Sequence, residues 1–334
     1  MAVIKPFKSI RPRKGLEDKI AALPYDVYNR SEAKQAVKDN PLSFLNIDRP
    51  ETQYDDDFDM YSDESYQTAA RLLDGMLERN EYIRDDKAYY YIYELTMNGR
   101  AQTGIVAVAS VDDYINETIK KHENTRADKE LDRIRHVDTL SAQTGPIFLA
   151  YKSNEAINSI VDKVKTTEPL YDFVSDDLIS HRVWIISDSD DISCIQDAFS
   201  TINSIYIADG HHRCASAVKV SLKRRQEKPD YTGDEEFNYF LSVLFPDNQL
   251  MIMDYNRVIK DLNGKTEAEI IDELKKVGTL DELNSDDKHP REKGDVSVYI
   301  GSKWYTLSFN DELMVDDPVE GLDVSILQNN VLKP

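Results

Sequence analysis

Apolar and polar positions follow two periods along the chain, and the switches between them mark the elements. Ala88-Tyr89-Tyr90-Tyr91-Ile92-Tyr93-Glu94-Leu95 is dense in β-prone residues and reads as sheet core. Asn98-Gly99 then supplies the turn chemistry of a tight hairpin, with Thr103 to Val111 as the returning strand. From Ser65 to Glu81 the period lengthens, placing Ala69, Leu72, Leu73, Met76 and Leu77 on one helical face. Short apolar runs predict strands at 147–151, 182–186 and 205–208, with helices near 154–165 and from Cys214 to Arg225. Phe237 to Phe245 and Leu250 to Val258 read as a strand pair across Pro246-Asp247-Asn248. Ser31-Glu32-Ala33-Lys34 resembles a capped helix start. Strands interleaved with helices put the chain in the α/β (α+β) class. The expected layout is a mixed-sheet core over 1–260, carrying an inserted hairpin and helical segment, and a small α+β appendage over 261–334.

Charge narrows the partners. Lys and Arg total 41 against 62 Asp and Glu among 334 residues, a net charge of -21. Such a surface repels nucleic acid and anionic membranes, so neither is expected as a partner. A few cations lining one pocket still permit a small anionic ligand. No apolar run approaches the roughly 18 residues that span a bilayer, and MAVIKPFKSIRP lacks signal-peptide organisation. Two cysteines, Cys194 and Cys214, are too few for a disulfide framework, so a cytoplasmic setting is expected.

The densest chemistry is Asp209-Gly210-His211-His212-Arg213, between the strand at 205–208 and the following helix. A glycine turn into a helix start aims backbone N–H groups and the positive end of the helix dipole at one point, which suits phosphate. Arg213 adds a forked guanidinium. His211 and His212 offer hydrogen bonds, and Asp209 offers a carboxylate for a metal ion or a hydroxyl. A plain structural turn also accounts for the motif, with Arg213 pairing to a carboxylate. One ion held by both histidines is disfavoured, because adjacent side chains on a turn diverge.

Two other stretches carry candidate groups. In Lys120-Lys121-His122-Glu123-Asn124-Thr125-Arg126-Ala127-Asp128-Lys129-Glu130, helical spacing puts His122, Thr125, Arg126 and Lys129 on one face, with Glu123 beside them as a possible general base. A solvated helix face explains the same run. Near the N-terminus, Leu23-Pro24-Tyr25-Asp26-Val27 ends in a carboxylate that either serves catalysis or closes an Asx-turn. Asn40 and Ser43 read as capping residues, and Thr144-Gly145-Pro146 as a tight turn before a strand.

With these residues in view, the chain resembles the bacterial domain-of-unknown-function family 1015. The matching stretches include IKPFKSIRP, ALPYDV, NPLSFLNID, TMNGRAQTG, KKHENTRADKELDRIRHVD, TGPIF, YIADGHHRCASAVK and LDVSILQNNVLKP, in order along nearly the whole chain. That resemblance leads us to expect a further C-terminal segment beyond VLKP. The turn YIADGHHR also resembles the ParB/sulfiredoxin-like superfamily, in which a Gly-x-x-Arg turn holds nucleotide phosphate. Free-serine kinases within it carry a closely similar Asp-Gly-His-His-Arg turn. The resemblance implies a ParB/sulfiredoxin-like core and transfer of a phosphoryl group from ATP or ADP, with Mg²⁺, to the hydroxyl of free L-serine. Asp209 to Arg213 would then hold the nucleotide phosphates, His211 or His212 would stabilise the transferred group, and Asp26 or Glu123 would be the base. Arg126 and Lys129 are the cations available to the amino acid's carboxylate, and the serine would sit among His122, Thr125, Arg126 and Lys129. The alternative is a regulatory module that binds or hydrolyses nucleotide without an amino-acid acceptor. A sulfiredoxin-like redox enzyme would need a reactive cysteine where this turn has histidine, and Cys214 follows Arg213 instead.

Overall fold

A computed structural model describes residues 1–125 and 127–333, with the side chains of Asp128 and Lys129 outside the description. The chain divides into two units, Met1–Ile252 and Met253–Pro334. In the first, the strands are β1 Ile4–Lys5, β2 Ile10–Pro12, β3 Tyr82–Arg84, β4 Tyr90–Met97, β5 Arg100–Ser110, β6 Ile119–Lys120, β7 Ile147–Tyr151, β8 Tyr171–Val174, β9 Ser180–Ile186, β10 Ile205–Asp209 and β11 Tyr239–Pro246. Its helices are α1 Glu17–Ile20, α2 Arg30–Val37, α3 Leu45–Asp48, α4 Asp63–Glu78, α5 Val111–Ile115, α6 Ala127–Leu140, α7 Glu155–Lys165, α8 Ser189–Ser200 and α9 His211–Glu227.

Nine strands form one mixed sheet in the order β6-β10-β7-β11-β5-β4-β9-β8, and β1 takes the edge of β5 at Val108 and Ala109, beyond the reach of β4. β10 runs parallel to β6, and β11 parallel to β7, while the remaining pairs are antiparallel. The hairpin signal is realised, with Asn98 and Gly99 both at positive φ, 50° and 78°. Strand alternation buries Ile205 and Ile207 of β10, and Tyr90 and Ile92 of β4, in the main core. Ile157 of α7, Phe199 of α8 and Cys214, Ala217 and Val218 of α9 close over it. A second cluster, with Ile20, Ile47, Ala69, Leu73, Met76 and Tyr82, sits under α4.

Two expectations need correction. Leu250 to Val258 forms no strand, and most of its side chains, Ile252, Tyr255 and Val258 among them, are exposed. Its apolar alternation imitates a strand, but β11 is already flanked by β7 and β5, leaving that edge unavailable. The cap at the second helix is Asn29, whose side chain accepts from Glu32 N in a capping box that precedes Ser31.

The second unit has α10 Glu267–Val277, an antiparallel sheet in the order β12-β14-β13 (Gly278–Glu282, Lys303–Phe309, Asp295–Ile300) and α11 Asp323–Leu327. Leu274, Leu307, Phe309 and Ile326 form its core. Among the described residues, no helix is long and apolar enough to cross a membrane.

Gly104, in the middle of β5, shows how tightly the central strands pack. A Cβ there would lie 2.9 Å from the Leu244 carbonyl oxygen and 2.9 Å from the Phe245 ring. Backbone cannot yield as a flexible side chain can, so Gly104→Ala is expected to destabilise the first unit by about 1–3 kcal/mol. Chemical denaturation of the two proteins checks this.

Candidate functional site

The site forms where three neighbouring strands end together. β6 pairs in parallel with β10, Ile119 opposite Ile205, so the chain leaving β6 at 121–125 runs beside the end of β10. β7 is antiparallel to β10, which brings its entry, Thr144-Gly145-Pro146, to the same end. Between them, Asp209 ends β10 and Gly210, at φ 90° and ψ 31°, turns the chain directly into α9. This left-handed residue is easy for glycine and strained for others. Among the described residues, no side chain caps α9, and its first turn contains no acid. The positive end of its dipole therefore meets the cleft.

That cleft, about 60 Å³, is lined by Tyr25, Asp26, Glu123 and Asp209 through Arg213. The structure thus unites seven of the expected residues' neighbourhoods: both candidate bases, Asp26 and Glu123, border the turn. Arg213 folds back over it, donating to Asp209 Oδ2 at 2.8 Å and to the Pro146 carbonyl at 2.8 Å. The carboxylate pairing of the plain structural reading is therefore present here. Gly210 and Gly145 make room for it, since a Cβ on either would lie 3.3 or 3.0 Å from the guanidinium. The Asp209 side chain stays 70% exposed and faces solvent.

The adjacent histidines diverge. His211 is buried, with its Nδ1 3.6 Å from Glu123 Oε2 and its ring edge-on to His122 at 4.5 Å. Its Nε2 is buried with no hydrogen-bond partner among the described residues. Burial first, and then His122, hold its pKa below the ordinary imidazole value. It serves as a neutral wall of the cleft. His212 is half-buried.

The face expected over 122–129 does not form. α6 starts at Ala127, so His122 and Thr125 lie in the loop before it, His122 and Glu123 exposed. The parallel β6–β10 pairing, invisible to local periodicity, extends that loop. Thr125 spends its hydroxyl on Glu130 Oε2 at 2.6 Å. Arg126 and the Lys129 side chain lie outside the described residues.

Sequence reasoning missed the groups that hold the Asp26 turn. Arg49 donates Nη1 to the carbonyls of Tyr25 (3.1 Å) and Tyr28 (2.9 Å), and its Nε to Glu51 Oε1 at 2.5 Å. Arg49 and Glu51 are 9% and 2% exposed. Arg133, also buried, stacks over the Tyr25 ring at 4.2 Å and pairs with Asp132 at 2.8 Å. One signal was available: Glu130, Arg133 and His136 recur every three residues in the charged run, and all three are buried. Asn40 and Ser43 do act locally, accepting from Leu42 N and Leu45 N.

The chain matches the family model described as Protein of unknown function (DUF1015) over residues 4–325, and it belongs to that family. No curated protein and no solved structure matches it.

Two measurements test this picture of the site. Arg49→Met leaves the Glu51 carboxylate buried without its cation, which should cost about 3–5 kcal/mol. Adding Glu51→Leu should recover part of that loss in urea unfolding. The buried imidazoles set the second. His136, His181 and His211 all have pKa values lowered first by burial, so the unfolded chain binds their protons more readily. Their stabilisation is complete above the unfolded imidazole pKa of about 6.5 and is lost as pH falls through the lower folded values. The urea midpoint should therefore drop between pH 7.5 and 5.5, a window above most carboxylate titration.

Proposed function

We propose that this family member is a small-molecule kinase that transfers a phosphoryl group from ATP or ADP to the hydroxyl of free L-serine. One observation carries the reading: the uncapped N-terminus of α9 opens on a cleft bordered by the carboxylates Asp26 and Glu123. Helix amides and dipole suit the phosphate, and a carboxylate beside them suits an acceptor hydroxyl. The likeness of Asp209-Gly210-His211-His212-Arg213 to the turn of free-serine kinases supports the choice of acceptor.

In this reading the turn amides and Arg213 hold the donor's phosphates, Arg213 exchanging Asp209 and the Pro146 carbonyl for phosphate oxygens. The serine oxygen attacks the terminal phosphorus while the bond to the bridging oxygen breaks, its electron pair leaving with the nucleotide. The proton passes to Asp26 or Glu123, and neutral His211 lies against Glu123 as a hydrogen-bonding group. The donor set fits Mg²⁺ arriving with the nucleotide, because such sites combine one or two carboxylates with phosphate oxygens and Asp209 is exposed beside the turn. The ion supplies charge neutralisation, which with positioning dominates phosphoryl transfer.

The redox rival lacks support. Cys214 is fully buried in the main core, and burial raises its thiol pKa, the reverse of a reactive cysteine.

The test is incubation with Mg²⁺, ATP or ADP and a panel of free amino acids, followed by ³¹P NMR. Phosphoserine is expected, absent in Arg213→Ala, which should also bind nucleotide weakly, and retained in Cys214→Ser. Of Asp26→Asn and Glu123→Gln, the one that removes the base should lose ~10²–10⁴-fold in turnover with nucleotide binding kept. Nucleotide binding with no phosphorylated amino acid would select the regulatory module instead.

A further inference from the structure

A second and larger cavity, about 860 Å³, runs along the side of α9 in the first unit, and none of Asp209 to Arg213 lines it. That volume falls within the range of small-molecule sites, roughly 300–1,000 Å³. Its walls are largely apolar, with Phe7, Phe44, Leu73, Val108, Val220 and Leu241 among them.

Most polar groups on the wall are already engaged. Lys5 pairs with Asp234 at 2.7 Å and Arg224 with Asp138 at 2.7 Å. The Gln143 amide is taken up by the β11 backbone at Tyr239 and Leu241. Glu235 accepts from the amides of Thr232 and Gly233, and Ser9 bonds Asp85. Ser221 also lines the wall, but its hydroxyl is fully enclosed and out of a ligand's reach. The exception on the wall is Tyr82, 5% exposed, whose hydroxyl makes no hydrogen bond among the described residues and is not fully enclosed. At the exposed rim stand Lys8 and Arg84, two cations without an ion pair among the described residues, against one such carboxylate, Glu236. A hydroxyl left without a partner in a largely apolar wall favours a bound polar atom beside it. The rim selects negative charge.

We propose that this cavity binds a small organic acid whose apolar body carries a hydroxyl or carbonyl. The carboxylate lies at Lys8 and Arg84, the body against the apolar wall, and the inner polar atom at Tyr82. The site is independent of the kinase reading, since neither phosphate nor serine enters it.

Isothermal titration of the full chain with ω-hydroxydecanoate, decanoate and decanol tests the assignment. The hydroxy acid should bind saturably. Reversing both rim charges (Lys8→Glu with Arg84→Glu) should weaken it about tenfold, equivalent to 1.4 kcal/mol, and leave decanol unchanged. Tyr82→Phe should weaken the hydroxy acid and spare decanoate. Ala88→Trp, at an exposed position on the lining, should block all three. Lys8, Arg84 and Ala88 are all exposed, so these variants are expected to melt like the parent. No saturable binding of either acid, binding that survives both Ala88→Trp and the charge reversal, or displacement of the acid by ATP would each overturn the proposal.

Discussion

The site depends on one junction. β10 is anchored by Ile205 and Ile207 and α9 by Cys214, Ala217 and Val218, all in the same apolar core. Strand and helix are thus both immovable, and the chain must turn from one into the other at a single residue. Gly210 meets that demand with φ 90°. A side chain there would be strained and would press on the Arg213 guanidinium, 3.3 Å from the would-be Cβ. Because β6 and β7 flank β10 in the sheet, fixing this turn also fixes what surrounds it: the 121–125 loop on one side and Pro146 on the other.

The opposite wall rests on buried charge rather than on apolar packing. Arg133 and the pair Arg49–Glu51 are almost fully enclosed, an arrangement that is costly to desolvate and adds little net stability. Its effect is directional. A guanidinium bridging the Tyr25 and Tyr28 carbonyls, and another over the Tyr25 ring, leave the Asp26 turn few ways to lie. α6 contributes Arg133 and also packs on α9, where Ser216 donates to the Glu130 carbonyl at 3.2 Å. The two walls of the cleft are therefore joined through the same helix.

What could be read from the sequence was whatever depends on near neighbours. The strand-turn-helix at Asp209 to Arg213 was legible because glycine, apolar alternation and small helix residues sit side by side. So was the hairpin at Asn98-Gly99. The facing of Glu123 and Asp26 across one cleft was not, since it follows from the β6–β10 pairing and from Arg49, 23 positions from Asp26 in the numbering. Local reasoning erred where a pattern had two uses. The charged run at 120–130 has helical spacing, yet Lys120 ends β6, 121–125 is loop and the helix begins at Ala127. Its buried polar stripe of Glu130, Arg133 and His136 looks in sequence like a solvated face, because charge usually marks exposure. Leu250 to Val258 has strand-like alternation but no free sheet edge to join.

Electrostatics tie these features together. The chain carries a net charge of -21, and three carboxylates, Asp26, Glu123 and Asp209, border the cleft. A bare anion entering it gains the α9 dipole and Arg213 but meets those carboxylates at short range. To bind Arg213 it must also displace Asp209, which then stands uncompensated beside the incoming charge. A cation travelling with the anion removes both objections, since it can pair with the released carboxylate and with the phosphate oxygens together. On the proposed kinase reading, an acidic cleft around a positive helix end would favour a metal-complexed nucleotide over a free phosphate. On that reading the Asp209–Arg213 pair, which closes the turn on itself, would open to a ligand that supplies a counter-charge for each partner.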